Sequence, residues 1–283
     1  MKKKVLFALV LSILAFSACS DKANDQKTPD TDQAAETPKE EVKNPLNFPD
    51  VKTDAKAGEM VLTVDPKDLD EAMNNDPKDS DYLYFYSAEM VEPGDVQSKV
   101  KVGVAEFKVH NSLIIPIAKG QSAEAGEIVL VGNKTFYMER ALVKEGGESL
   151  KVVSIDGFDS ETEVETGMFN VLKEEWSPGT SVACPNDYDG YDLATVITVG
   201  GGKVLTTGWA GVMAVSEESK CKPVPIWPEI AVGDQVFIAP FATFEPGTVT
   251  KVDLEKGRIM ATYDFGGDTE EEEFPIGDIL LEL

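Results

Sequence analysis

Few side chains in these 283 residues are equipped for chemistry: one histidine, His110, and three cysteines, Cys19, Cys184 and Cys221. A single histidine leaves little scope for general-base catalysis or a histidine-built metal centre. No Gly-rich phosphate loop, G-x-S-x-G elbow or H-E-x-x-H run occurs. Carboxylates abound, with 51 Asp and Glu against 26 Lys and Arg and a net charge of −25. Their clusters read as solvated surface. Residues 270–273, all glutamate, suit a strand edge protected against aggregation. Residues 186–192 gather Asn186, Asp187, Asp189 and Asp192 around Gly190. They lack the spaced ligands and closing glutamate of a calcium loop, so an Asp-Gly turn accounts for them. Residues 74–81 fail the same test. The expectation is therefore a chain with no catalytic residues, no metal and no cofactor. Excess negative charge also argues against nucleic acid, whose phosphates require Lys and Arg, and against docking on anionic headgroups.

The elements that would position any site begin after a processing signal. Lys2, Lys3 and Lys4 precede an apolar run over residues 5–18 that is too short to span a bilayer comfortably. The run ends in Phe16, Ser17 and Ala18, directly before Cys19. This segment resembles the lipobox of a bacterial lipoprotein, with Phe16 where leucine is usual. The resemblance implies removal of residues 1–18, lipidation of Cys19, and membrane attachment through that lipid only. Ser20 in the next position implies outer-membrane delivery. A tether is expected over 19–57, because the polar stretch from 20 to about 44 has no apolar period with which to offset its ordering entropy.

Further on, the chain resembles itself. Segments 126–131, 179–184 and 233–238 each open on glycine and alternate as a strand, with 53 residues from 126 to 179 and 54 from 179 to 233. Each is followed by a small residue two before a valine: Ala141 and Val143, Ala194 and Val196, Gly247 and Val249. Third strands follow at 150–152, 203–205 and 258–260, then glycine turns. Short alternating strands at this spacing predict an all-β chain of tandem small barrels over 121–175, 176–226 and 227–283. Residues 232–236, 246–249, 263–264 and 274–280 of the last copy resemble a Tudor or agenet-type SH3-like barrel. Residues 58–120 form a β-rich N-terminal module that does not align well with the repeat. Its expected pieces are a helix or turn at 68–75 and strands near 81–86, 99–104 and 113–117. Barrels this small should pack on one another, with Trp176 and Trp227 plugging the joins.

The Tudor resemblance implies an aromatic cage for a cation. By position it would use Phe241, Phe244, Tyr263 and Phe265, with Asp264 and Asp268 nearby. The first copy offers Phe136 and Tyr137, and the second Tyr188, Tyr191 and Trp209. The competing reading is that such rings fill the barrel cores, Phe244 and Tyr263 above all. Cys184 and Cys221 open and close one copy of an exported chain, which predicts a disulfide. A reactive thiol would need a partner base, and the lone histidine lies in another module. The expected function is a membrane-anchored envelope lipoprotein acting as a non-catalytic binding or scaffold module. Its partner would be a protein, peptide or envelope polymer. The alternative is a structural or surface-interaction lipoprotein without a ligand cage.

Overall fold

Short alternating segments separated by glycine turns favour pairing with the next strand in sequence, and the computed structural model is accordingly built mainly of antiparallel hairpins. It describes residues 42, 44–66, 68–69, 84–132, 138–147, 149–157, 161–208 and 211–283. The signal segment, Cys19, the tether up to 41, most of 68–83, Phe136, Tyr137 and Trp209 lie outside the described residues. Unit I comprises β1 (Met60–Thr63), β2 (Tyr86–Glu92), β3 (Gln97–Val102), β4 (Ala105–His110) and β5 (Ile115–Pro116). Unit II comprises β6 (Ile128–Gly132), β7 (Met138–Glu145), β8 (Ser149–Ser154), β9 (Glu161–Glu165) and β10 (Phe169–Val171). Unit III comprises β11 (Ser181–Pro185), β12 (Tyr191–Gly200), β13 (Lys203–Thr207), β14 (Met213–Glu217) and β15 (Lys222–Pro223). Unit IV comprises β16 (Gln235–Phe241), β17 (Thr243–Asp253), β18 (Arg258–Phe265) and β19 (Asp268–Pro275).

All four units share one strand order. The fifth strand pairs with the first, and the second, third and fourth follow in sequence: β5-β1-β2-β3-β4, β10-β6-β7-β8-β9 and β15-β11-β12-β13-β14. In unit IV the fifth place is taken by Leu280, bridged to Phe237. Units III and IV join into one sheet through a single pair, Asp192 with Thr243. Among the described residues no sheet closes on itself, so the expected closed barrels are open antiparallel sheets. The N-terminal module, which did not align with the repeat, has the same order as the rest.

The backbone repeats to the level of single hydrogen bonds. Gly58, Gly126, Gly179 and Gly233 each precede a first strand at φ between 79° and 98°, a region that favours glycine. Their N–H groups donate to Met90, Val143, Val196 and Val249 over 2.7 to 2.9 Å. Those four residues donate back to Glu59, Glu127, Thr180 and Asp234. A bulge follows each of the four in the second strand. It bends that strand, so one hairpin can serve two packing faces. Met90, Val143, Val196 and Val249 lie 53 residues apart from one to the next. Gly58 and Gly126 are 68 apart, because the link from β1 to β2 runs from 64 to 85.

Alternating side chains of the first strands go to different cores. In β6, Val129 and Val131 enter the core of unit II, while Ile128 and Leu130 join a central cluster with Leu62 of unit I and Ile197 of unit III. In β11, Val182 faces the core of unit III, whereas Ala183 meets Phe244 and Leu280 of unit IV. First strands buried on both faces mean that the units pack together, and residues 41–283 form one compact body. The stretch 44–57, placed with the tether from sequence, belongs to it. Phe48 and Ala55 are buried, and a Cβ at Gly200 of unit III would lie 2.6 Å from Val51. Cys184 and Cys221 are disulfide-bonded and staple β11 to the end of unit III. Trp176 packs on that same core rather than between units, while Trp227, itself exposed, reaches Gly257 of unit IV beside Ile128 and Leu172 of unit II.

Candidate functional site

The predicted ring residues of unit IV divide into two groups. Tyr263 is 7% exposed and stands edge-on to Phe274 at 6.3 Å inside the unit's own core. Its hydroxyl donates to Glu272 at 3.2 Å, and burial followed by the nearby carboxylates raises its pKa. Phe244 is buried against Ala183 and Val224 of unit III. Neither ring is open to a ligand. Phe241 and Phe265 are 62% and 54% exposed, with ring centroids 5.0 Å apart and planes tilted by 37°. Asp264 and Asp268 are exposed in the hairpin beside Phe265, where Asp264 Oδ1 accepts from Gly267 N–H at 3.1 Å. The structure therefore brings together two rings of the four, as an open pair beside carboxylates.

The loop carrying Phe241 is held from outside. Ala242 sits at φ 76°, and its carbonyl accepts from Leu193 N–H at 2.7 Å. Thr243 Oγ1 donates to Asp192 Oδ1 at 2.7 Å, and Asn186 donates to the same oxygen. A strained residue locked by a neighbouring unit is a rigid mount for the ring that precedes it. Asn186 Oδ1 also accepts from Tyr188 and Gly190 N–H, which makes 186–190 a self-bonded turn with Tyr188 fully exposed at its tip. Tyr191 lies under the Lys222 ammonium, 5.4 Å from ring centre to nitrogen. His110 is buried, bonded to Ser112 Oγ at 2.7 Å.

Two residues that belong to no expected site organise the junctions. Arg140 and Arg258 are the only arginines in the chain, and both are buried. Arg140 of unit II donates to Asp156, to Ser181 of unit III at 2.8 Å, and to Gly277 O and Asp278 of unit IV at 3.1 and 3.0 Å. Burial opposes its charge, but Asp156 and Asp278 outweigh that and hold the guanidinium above its ordinary pKa. Burial in turn pushes the Asp156 carboxyl upward against the pull of Arg140. Arg258 of unit IV pairs with Glu273 at 2.8 Å and donates to the carbonyls of Ser154 and Gly157 in unit II. The planar fork of arginine suits such multidentate junctions, and its rarity elsewhere in the chain was the available signal.

A second opening lies in unit II, a cleft of about 210 Å³ whose lining includes Ala141, Val152, Val164, Met168, Ser154 and Glu139. No protein-family model matches the sequence, and no curated protein is significantly similar to it.

Proposed function

We propose that the chain is a lipid-anchored protein of the bacterial envelope that displays four packed SH3/Tudor-like units and binds a partner without catalysing a reaction. The shared order of fifth, first, second, third and fourth strand supports the SH3-like reading, as do the one-turn helices before the fifth strand at Asn111–Leu113, Glu218–Lys220 and Ile276–Asp278. Such folds host many functions, so the function rests on the site. One observation carries it: the exposed Phe241 and Phe265 lie 5.0 Å apart, and Phe241 directly precedes Ala242 and Thr243, which unit III holds. A phenyl ring left in water beside a pinned loop, with a second exposed ring against it, favours a recognition role over a packing one. Asp264, Asp268 and the surrounding negative charge select a ligand presenting amino groups to the ring faces, and repel polyanions. An envelope polymer or peptide with free amines fits that chemistry.

The test has two parts. Cys19→Ala should move the protein from the membrane pellet to the soluble fraction. Phe241→Ala combined with Phe265→Ala should abolish co-sedimentation with purified peptidoglycan sacculi and leave the thermal midpoint almost unchanged, since both rings are already wet. Sacculi capture that survives the double substitution and weakens only with salt would favour a surface-interaction lipoprotein without a ring site. A wild-type protein that stays in the supernatant would remove peptidoglycan as the partner.

A further inference from the structure

The repeat allows unit II to be compared with unit IV residue by residue. Val143 and Val249 occupy the same place before the bulge, and their partners across the hairpin are Val152 and Ala261. Counting along the paired strands, Ser154 stands where unit IV has Tyr263, and Val164 where it has Phe274. In unit IV those two rings pack edge to face and fill the end of the core. In unit II a serine and a valine take their places, and both line the cleft of about 210 Å³. Units I and III also lack rings in these places, with Val102 and Val109 and with Gly208 and Ser216, so the ring pair belongs to unit IV and the cleft is the space that the smaller Ser154 and Val164 border in unit II.

Its chemistry is uneven. Ala141, Val152, Val164 and Met168 make an apolar floor. At the mouth stands Glu139, half-buried and on the same strand face as Ala141, with no salt-bridge or hydrogen-bond partner among the described residues. Its Oε1 and Ser154 Oγ converge on the turn at Gly157, 3.8 and 3.1 Å from where a Cβ would sit. The nearby cations are committed elsewhere, Arg140 to Asp156 and Asp278 and Arg258 to Glu273. We propose that this cleft binds the end of an alkylammonium group, such as a lysine-type side chain of a partner. Its carbons would lie on the floor and its nitrogen between Glu139 and Ser154. The site is separate from the Phe241 platform and does not depend on anchoring.

The experiment is methyl NMR on the protein without its first 18 residues, titrated with n-butylammonium, and with n-butanol and butyrate as neutral and anionic isosteres. Saturable shifts of the Val131, Val152, Val164 and Met168 methyls are expected with butylammonium, weaker ones with butanol and none with butyrate. Glu139→Gln should weaken butylammonium about tenfold, the range lost with a charge-assisted hydrogen bond. Ser154→Tyr with Val164→Phe, which copies unit IV, should abolish the shifts. If that variant does not fold, the Glu139→Gln and butyrate arms still decide. Equal shifts with butyrate, no shifts with butylammonium, or full affinity in Glu139→Gln would overturn the proposal.

Discussion

At the residue scale, burial sorts the candidates more sharply than residue type does. Tyr263 and Phe265 lie two apart on β18 and face the same way, yet one is core and the other is wet, because the strand runs out past the end of unit IV. The expectation that Phe244 and Tyr263 above all fill the core agrees with their burial, while the exposure of Phe265 depends on where the strand leaves the core. Arg140 shows what a buried charge commits a fold to. Replacing it with methionine leaves Asp156 and Asp278 facing each other without a cation. We expect a loss of about 3 to 5 kcal/mol, the usual effect of removing one partner of a buried ionic group. Urea denaturation measures it, and a loss below 1 kcal/mol would mean the network is incidental. Tyr86 on β2 gives a pH signature. Burial, then the charge of Asp68 and its bond to the phenol at 3.2 Å, push its pKa up to about 12. The folded value exceeds the ordinary 10, so its contribution is whole below pH 10 and is lost as the pH rises toward 12. The stability difference between wild type and Tyr86→Phe should therefore change between pH 10 and 12 and be constant below, as read from urea midpoints.

At the element scale, much was legible, and the failures have physical causes. Spacing of glycine, small residue and valine exposed three copies, because turn and bulge need those residue types at fixed offsets. The fourth copy went unseen although Ala57, Gly58 and Glu59 repeat Ala125, Gly126 and Glu127. Its long link between β1 and β2 spoils the period without altering the hairpin, since loop length affects stability only logarithmically. Barrel closure was expected from hydrophobic periodicity, but period reports which face is buried and not whether edge strands meet. Phe48 falls within the expected tether because one aromatic in a polar stretch carries no period. The disulfide was legible from position within a copy. It closes a loop spanning 37 residues, worth about 4 kcal/mol in the chain-entropy model. Cys184→Ala with Cys221→Ala should lower the unfolding free energy by up to that amount. Hydrogen exchange should rise first in β11 and β15, which the bond ties together. Faster exchange confined to unit I would contradict this account.

At the scale of the whole molecule, the question is whether four similar units unfold as beads or as one body. A unit of some fifty residues buries too little apolar surface to be stable with comfort alone. Here each borrows from its neighbours. The central cluster draws on Leu62, Ile128, Ile197 and Ile276, one from each unit. Units III and IV share Ala183, Phe244 and Leu280, and Arg140 and Arg258 bond across the joins. Ion-pair junctions and shared apolar strands couple neighbours in the way nearest-neighbour terms do in repeat proteins. Cooperative unfolding follows, with calorimetric and van't Hoff enthalpies agreeing for the body from residue 44 onward. Ending the chain at residue 230 would strip Arg140 of Asp278 and uncover Ala183 and Val224. The remaining three units should then melt at a clearly lower temperature and become protease-sensitive in unit III. Were they beads, the shortened chain would melt where the full chain does, and the full chain would show separate transitions. That pattern would also undo the rigid mounting of Phe241, because the grip of unit III on its loop depends on the two units moving together.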